Sequence, residues 1–319
     1  MSRPRVFASR ELPGAAWELV REVAELRVWE EADSVPRAVL LHEAARCAGL
    51  IVTLVDRVDA ELLGAAPALR VVSTCSVGVD HIDVAAASAR GIRVGHTPGV
   101  LTEATADLAF ALLLAAARRI PEADRFVREG RWLKAWEPAL LLGRELSGAT
   151  LGVVGLGAIG QAVVRRAMGF GMQVIGWTRT GRRVAGVESV RALDELLARA
   201  DVVSVHVARA PETIGLIGAR ELARMKRGAL LVNTARGGIV DESAVCAALG
   251  SGQLGAAALD VYASEPLPAS SPLLVAPNLV LAPHIGSATR ETRARMAELC
   301  VRNLVAGLRG EALPHCVNP

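Results

Sequence analysis

Short apolar runs alternate with stretches of helical period along nearly the whole chain, and this alternation leaves few folds open. Neighbouring parallel strands need a connection of about a dozen residues or more, usually a helix, so a βαβα pattern predicts parallel sheets covered by helices. In the first part, V-F-A (6–8), L-R-V-W (26–29), L-I-V-T-L (50–54), R-V-V-S-T (70–74) and I-R-V-G (92–95) read as strands. Helix-like stretches such as Ala15–Glu25 and Ala38–Ala48 fall between them. A long helical stretch starts around Thr102, Thr105 and Asp107, runs through Leu114 and restarts at Pro121. A second series of strands follows at 150–155, 173–177, 201–207, 229–234, 256–261 and 278–283, and a C-terminal helix closes it over roughly Ala288–Leu308. The second series is the more self-contained doubly wound unit. The first series and the last helix lie on either side of it, which predicts a discontinuous outer α/β domain with a second α/β domain inserted between its halves.

Within the second series, Gly155-x-Gly157-x-x-Gly160 follows an apolar strand and opens a helix, the context a dinucleotide-binding turn requires. Gly155 permits the tight turn, Gly157 lets the backbone approach a pyrophosphate, and Gly160 lets helix and strand pack closely. The helix start, Ala158 and Ile159, offers free N–H groups and a partial positive charge to the phosphates. In such units an acidic residue about twenty positions on normally meets the adenosine ribose. Residues 174–183 read V-I-G-W-T-R-T-G-R-R and contain no acid. Thr178, Arg179 and Thr180, with Arg182 and Arg183 close by, present donors and positive charge. A planar guanidinium makes paired, charge-assisted hydrogen bonds to phosphate. The expectation is therefore NADP(H) as the preferred cofactor, with NAD(H) possible.

Other classes are disfavoured by bulk properties. The 319 residues suit two domains, and 52% hydrophobic content allows a large core. A net charge of +3 from dispersed basic residues, with only 3% aromatics, gives no footprint for nucleic acid. Cys47, Cys75, Cys246, Cys300 and Cys316 stand at wide, irregular spacings, so neither a metal cluster nor a disulfide framework is expected. Met1 to Arg10 lacks the apolar run of a secretory signal, and the apolar run Leu108–Ala117 is shorter than the ~20 residues a membrane span needs. A cytoplasmic protein without membrane association is expected.

A nicotinamide cofactor brings hydride chemistry, and the protein must then orient a carbonyl, polarise it and deliver a proton. N-T-A-R-G-G-I-V-D-E (233–242), L-D-V-Y-A-S-E-P-L-P (259–268) and L-A-P-H-I-G-S-A-T (281–289) each begin in or just after a predicted strand. Ligands of open α/β sheets sit beyond the carboxyl ends of the strands, so these segments can converge.

On these motifs the chain resembles the D-isomer-specific 2-hydroxyacid dehydrogenases, and within them the glyoxylate/hydroxypyruvate reductases. The likeness is densest from S-V-G-V-D-H-I-D (76–83) to H-I-G-S-A-T (284–289), and is especially close at G-I-R-V-G-H-T-P-G-V-L-T-E-A-T-A-D-L-A (91–109), W-E-P-A-L-L-L-G (136–143) and L-V-A-G-L-R-G-E (304–311). It implies a Rossmann cofactor domain, residues 99–286, inserted in a flavodoxin-like substrate domain formed by 1–98 and 287–319. It further implies that Arg236 holds the substrate carboxylate and polarises the 2-oxo group, that His284 is the general acid, and that Glu265 pairs with His284 and favours its imidazolium. Backbone N–H groups of Val77 and Gly78 would grip the carboxylate, while Asp80 and His81 are read as structural, capping the next helix. Thr105, Thr234, Ala235, Asp260 and Gly286 would line the nicotinamide side with Arg236 and His284. The region about 99–146, which carries Trp132 and Trp136, corresponds to a dimerisation arm, so a homodimer is expected, although the tryptophans alone also suit core anchors. Two positions depart from the family: Ala158 stands where many relatives carry arginine, and Gly181 where some NADPH-using relatives carry a basic residue. The implied reaction is reduction of a small 2-oxo acid, glyoxylate or hydroxypyruvate, to glycolate or D-glycerate. Two other readings remain open on sequence: a D-lactate, D-3-phosphoglycerate or phosphite dehydrogenase of the same family, and a non-catalytic dinucleotide-sensing protein.

Overall fold

The computed structural model describes residues 3–14 and 16–319. The chain forms two compact units, residues 1–101 with 287–319, and 102–286.

The first unit is built on a five-stranded parallel sheet of order β2-β1-β3-β4-β5, from β1 (Arg5–Ala8), β2 (Glu25–Val28), β3 (Gly49–Val52), β4 (Val71–Thr74) and β5 (Arg93–Gly95). This is the flavodoxin-like order, a doubly wound pattern in which ligands sit beyond the carboxyl ends of the strands. Helices α1 (Trp17–Val23), α2 (Arg37–Ala44), α3 (Ala60–Ala65) and α4 (Val84–Ala89) connect the strands. Strand residues alternate between two buried faces: Val72 packs with Leu40, Leu62 and Ile92, while Ser73 Oγ donates to Cys300 O at 2.8 Å on the other. Burial on both faces explains why an inner strand such as β3 reads as a continuous apolar run, whereas the edge strand β2 buries no residue and alternates.

The C-terminal helix, α11 (Arg290–Arg309), belongs to this unit. It starts at Thr289, whose side chain accepts from Thr292 N–H, and stops at Gly310 in a left-handed conformation. Its buried residues Met296, Ala297, Cys300, Val301, Leu304 and Leu308 recur at helical spacing. A methyl group on Gly307 would lie 2.6 Å from Val71, so the helix lies closely on β4.

The second unit carries a seven-stranded parallel sheet of order β12-β11-β10-β9-β6-β7-β8. Its strands are β6 (Thr150–Val154), β7 (Gln173–Trp177), β8 (Glu188–Ser189), β9 (Val202–Val205), β10 (Ala229–Asn233), β11 (Leu254–Leu259) and β12 (Leu279–Leu281). Counted within the unit this is the Rossmann order, with the chain reversing direction across the sheet at β6 and β9. Helices α5 (Thr102–Ala117) and α7 (Ala158–Gly169) cover one face, burying Phe110, Leu113, Val163 and Ala167 against Leu151, Val153, Leu230 and Val232. On the opposite face α8 (Leu193–Arg199), α9 (Ala219–Arg224) and α10 (Glu242–Gly250) cover Val203, Val205 and Leu231. Helix α6 (Ile120–Arg128) buries none of its residues.

The differences from the sequence reading are local. The helix expected over Ala38–Ala48 ends at Ala44, because Arg46 and Cys47 turn the chain into β3 and Ala48 N–H already bonds to Arg5 O. The helix expected from Ala15 begins at Trp17, Ala15 itself lying outside the described residues, and Glu25 already belongs to β2. Neither Asp80 nor His81 caps the helix after the 76–80 loop. That cap is Asp83, whose carboxylate accepts from Ala86 N–H at 2.9 Å, while His81 Nε2 lies 3.0 Å from Thr74 Oγ1. Among the described residues no helix is long and apolar enough to cross a membrane.

Candidate active site

Three strand ends in the second unit carry the residues that matter. After β10, Asn233 is buried and ties the turn to itself: its Oδ1 accepts from Ala235 N–H at 3.0 Å and its Nδ2 donates to Arg236 O at 3.1 Å. Arg236 Nη1 donates to Ala235 O at 2.8 Å. The next residue, Gly237, lies where another backbone crosses. A Cβ there would fall 1.7 Å from Tyr262 O, so only glycine lets the Arg236 turn lie against the segment after β11.

On that second segment, the Tyr262 hydroxyl is buried 2.8 Å from Ala282 O and 3.1 Å from Leu259 O, pinning it to the end of β12. Tyr262 N–H donates to Glu265 Oε1 at 2.9 Å, leaving the other carboxylate oxygen for His284. After β12, His284 adopts a left-handed backbone, φ 54°. Buried Asp260 holds this turn: its carbonyl accepts from His284 N–H, its Oδ1 from Ile285 N–H at 2.8 Å and its Oδ2 from Gly286 N–H at 2.9 Å.

This framework places His284 Nδ1 2.6 Å from Glu265 Oε2, with the two side chains 23% and 24% exposed, enclosed yet reachable. A carboxylate only accepts, so Nδ1 carries the hydrogen and Nε2 is the nitrogen left for chemistry. Burial alone would raise the Glu265 pKa. The hydrogen bonds from His284 and Tyr262 N–H, together with the charges of His284 and Arg236, outweigh it and hold the carboxyl below its ordinary range. Asp260 goes the other way, raised chiefly by its burial.

Beyond β6, Gly155 has φ 101°, and a Cβ on it would strike His206 O at the end of β9, so the ends of β6 and β9 meet closely here. A Cβ on Gly160 would fall 2.1 Å from Gly155 O, so helix and turn are in backbone contact. Gly157, by contrast, caps α7 with no side-chain hydrogen bond, and a Cβ on it would meet no protein atom within 4 Å. Its glycine is not explained by protein packing, but it suits a backbone that a ligand must approach. Thr234 Oγ1 is buried without a hydrogen-bond partner among the described residues, and Thr105 lies against Gly286. An uncapped helix start, a glycine facing open space and an orphaned hydroxyl beside the Arg236 turn fit a nicotinamide dinucleotide.

The loop after β7 is exposed. Arg182 N–H donates to Thr178 Oγ1 at 2.9 Å, and Arg179 Nη1 lies 3.5 Å from Glu212 Oε2. His206 Nε2 is 2.7 Å from Ser204 Oγ, and burial pushes this imidazole down to about 4, so it stays neutral near pH 7. Val77 and Gly78 belong to the first unit, in the loop after β4, and no described residue accepts their N–H groups.

The structure thus gathers Arg236, Glu265 and His284 at adjoining strand ends, sets Thr105, Asp260 and Gly286 together, and joins Gly155–Gly160 to the end of β9. Sequence reasoning missed Asn233, Gly237, Tyr262, His206 and Glu212. The Gly237-Gly238 doublet and the chain's lone tyrosine were usable signals; nothing local marks Glu212.

The model of the family described as D-isomer specific 2-hydroxyacid dehydrogenase, NAD binding domain, matches residues 110–286, more than half of the chain. The chain belongs to the D-isomer-specific 2-hydroxyacid dehydrogenase family. A glyoxylate reductase of Korarchaeum cryptofilum is 49% identical over 99% of this chain and 96% of that protein. A crystal structure from Thermus thermophilus is 52% identical, with a TM-score of 0.93 over 98% of this chain and 99% of that one. An NADPH-dependent glyoxylate/hydroxypyruvate reductase of Sinorhizobium meliloti, solved with NADP and malonate, is 35% identical, with a TM-score of 0.87 over 99% of this chain and 97% of that one. In this member of the 2-hydroxyacid dehydrogenases, the matched segment includes every strand end just described for the second unit.

Proposed function

We propose that the chain reduces a small 2-oxo acid, glyoxylate or hydroxypyruvate, to glycolate or D-glycerate, using NADPH in preference to NADH. The observation that carries this reading is the 2.6 Å His284–Glu265 pair, with Arg236 close enough for its charge to act on the Glu265 carboxyl. The bound coenzyme supplies a hydride from nicotinamide C4. Arg236 holds the substrate carboxylate and polarises the 2-oxo group. His284 donates a proton from Nε2 to the oxygen on which negative charge develops, and Glu265 stabilises the imidazolium and fixes its ring. Val77 and Gly78 bind the substrate carboxylate through their N–H groups. Gly155, Gly157, Ala158, Ile159 and Gly160 hold the pyrophosphate. Thr105, Thr234, Ala235 and Gly286 line the nicotinamide side, and Asp260 acts there by fixing the 284–286 turn.

The NADPH preference rests on Thr178, Arg179, Thr180 and Arg182, in a loop without a carboxylate to repel a 2′-phosphate. Arg179 meets Glu212 only at an exposed 3.5 Å contact, which a phosphate can displace. The Sinorhizobium meliloti relative carries the NADPH-dependent name.

The chain also acts as a homodimer. Helix α5, the first part of the expected arm, is core, whereas Ile120, Val127, Trp132, Leu133, Trp136 and Leu142 are all more than half exposed. Trp132 and Trp136 are therefore not core anchors within this chain. A groove of about 840 Å³, lined in part by Leu142, opens by Gly228 and Asn278, just before β10 and β12, and by Gly255 at the start of β11, at the strand ends opposite the ligand side. Sedimentation equilibrium tests this, with Trp136→Ser and Leu142→Ser expected to shift dimer toward monomer.

The test of the activity is a steady-state matrix of glyoxylate, hydroxypyruvate and pyruvate against NADPH and NADH, with phosphite assayed against the oxidised coenzymes NADP+ and NAD+. The highest kcat/KM is expected for the first two substrates with NADPH. Absence of turnover with every 2-oxo acid would remove the reading.

A further inference from the structure

We infer that His96 is a positioning residue for substrate binding: its imidazole fixes the peptide plane whose N–H the substrate carboxylate meets. The inference rests on the assignment of Val77 and Gly78 to that carboxylate.

In the loop after β4, three successive carbonyls already have donors. Thr97 N–H donates to Ser76 O at 2.9 Å, and Ser76 Oγ donates to Gly78 O at 2.7 Å. His96 Nδ1 lies 3.0 Å from Val77 O, and because a carbonyl only accepts, Nδ1 carries the hydrogen. A trans peptide group is planar, with its C=O and N–H pointing in opposite directions. Fixing Ser76 O therefore aims the Val77 N–H, and fixing Val77 O aims the Gly78 N–H. Those two N–H groups have no acceptor among the described residues. Without His96, nothing described holds the second plane.

His96 is itself held from both sides. Its N–H donates to His315 O at 3.2 Å, and its carbonyl accepts from Asn303 Nδ2 at 2.8 Å, a fully buried side chain of α11. Asn303 Oδ1 in turn accepts from His315 N–H at 2.9 Å. A Cβ on Gly95 would fall 2.7 Å from Asn303, so β5 delivers His96 to this position only with glycine before it. The C-terminal segment continues along β5, where Val317 N–H donates to Val94 O at 2.8 Å and Asn318 Oδ1 accepts from Val94 N–H at 2.7 Å. The tail thereby braces the residue that aims the Gly78 amide.

The experiment compares His96→Leu, which removes the donor, with His96→Asn, whose Nδ2 occupies the place of Nδ1. Losing one aligned hydrogen bond of this kind raises the KM for glyoxylate by about tenfold in His96→Leu. The KM for NADPH stays unchanged, kcat changes less than KM, and His96→Asn recovers most of the loss. If His96→Leu does not fold, judged by thermal melting and coenzyme binding, His96→Ala is read against His96→Asn instead. A wild-type KM for glyoxylate without the donor overturns the inference, and so does an equal defect in His96→Asn. Val77→Pro, which deletes the neighbouring amide hydrogen, separates the two levels. If it raises the KM for glyoxylate while His96→Leu does not, only the role of His96 falls. If neither variant changes that KM, the assignment of the loop to the carboxylate falls with it.

Discussion

Replacing Gly237 by alanine adds one methyl group and removes no functional group, yet it strikes at the centre of the site. The added carbon would lie 1.7 Å from Tyr262 O, 2.0 Å from Tyr262 C and 2.6 Å from Ala263 N. These are backbone atoms, so no rotamer change relieves the contact. The two segments must separate by more than an ångström. Tyr262 is anchored by its hydroxyl near Ala282 O and by its N–H on Glu265, while the neighbouring residue before Gly237 is Arg236. The displacement therefore passes into the Arg236 turn, the Glu265 carboxylate, or both. Misplacement by about an ångström costs on the order of 10²-fold in rate, and forcing an extra methyl into a packed interior costs ~1–3 kcal/mol of stability. The assay is kcat/KM for glyoxylate beside the dissociation constant for NADPH and the melting temperature. A loss of about 10²-fold in kcat/KM is expected, with coenzyme affinity changed far less. Gly238→Ala is the control: its φ of 77° strains alanine by roughly 1–2 kcal/mol, but the nearest side-chain or backbone atom is Arg209 Nε at 3.9 Å, so it should lose much less activity. Activity of Gly237→Ala within twofold of wild type, at unchanged melting temperature, would refute the claim that this crossing sets the geometry.

Three further outcomes are expected. Gly157→Ala, which meets no protein atom, should leave the melting temperature unchanged while raising the KM for NADPH, whereas Gly160→Ala should lower both stability and coenzyme affinity; equal stability losses would show that Gly157 serves packing. Arg179→Ala should lower kcat/KM with NADPH by about 10- to 100-fold while sparing NADH, and Glu212→Gln should improve NADPH use by freeing Arg179; equal effects on both coenzymes would remove the 2′-phosphate assignment. Because Glu265 is held below its ordinary value of 4.5, its pairing stabilises the fold above that pH, and the contribution is lost as pH falls through the lower folded value. Urea unfolding of wild type and Glu265→Gln from pH 7 to pH 3 should therefore converge at the acid end, and a constant difference would contradict the pairing.

Much of this was legible in the sequence for identifiable reasons. Parallel strands buried on both faces give uninterrupted apolar runs, so β7, β9 and β10 fell close to where the runs lay. The edge strand β8 spans only Glu188–Ser189 and has no period to read. Helix ends were less visible. The turn at Arg46 and Cys47 is set by the path into β3 rather than by a breaker residue, and Asp83 rather than Asp80 captures the first turn of α4 because it stands directly before that turn. Arg236, Glu265 and His284 were found through motif resemblance. The residues that hold them in place were not: Asn233 ties the Arg236 turn to itself through its side-chain amide, while Gly237 and Tyr262 act between segments distant in sequence, so the glycine doublet and the lone tyrosine mark positions without naming their partners.

The most direct measurement of the central claim is kcat for glyoxylate reduction by His284→Gln, with NADPH affinity measured in parallel by fluorescence titration. The account predicts a fall in kcat of ~10²–10⁴-fold, the usual contribution of a positioned acid, with coenzyme affinity near wild type. A variant that still reduces glyoxylate at close to the wild-type rate would contradict it.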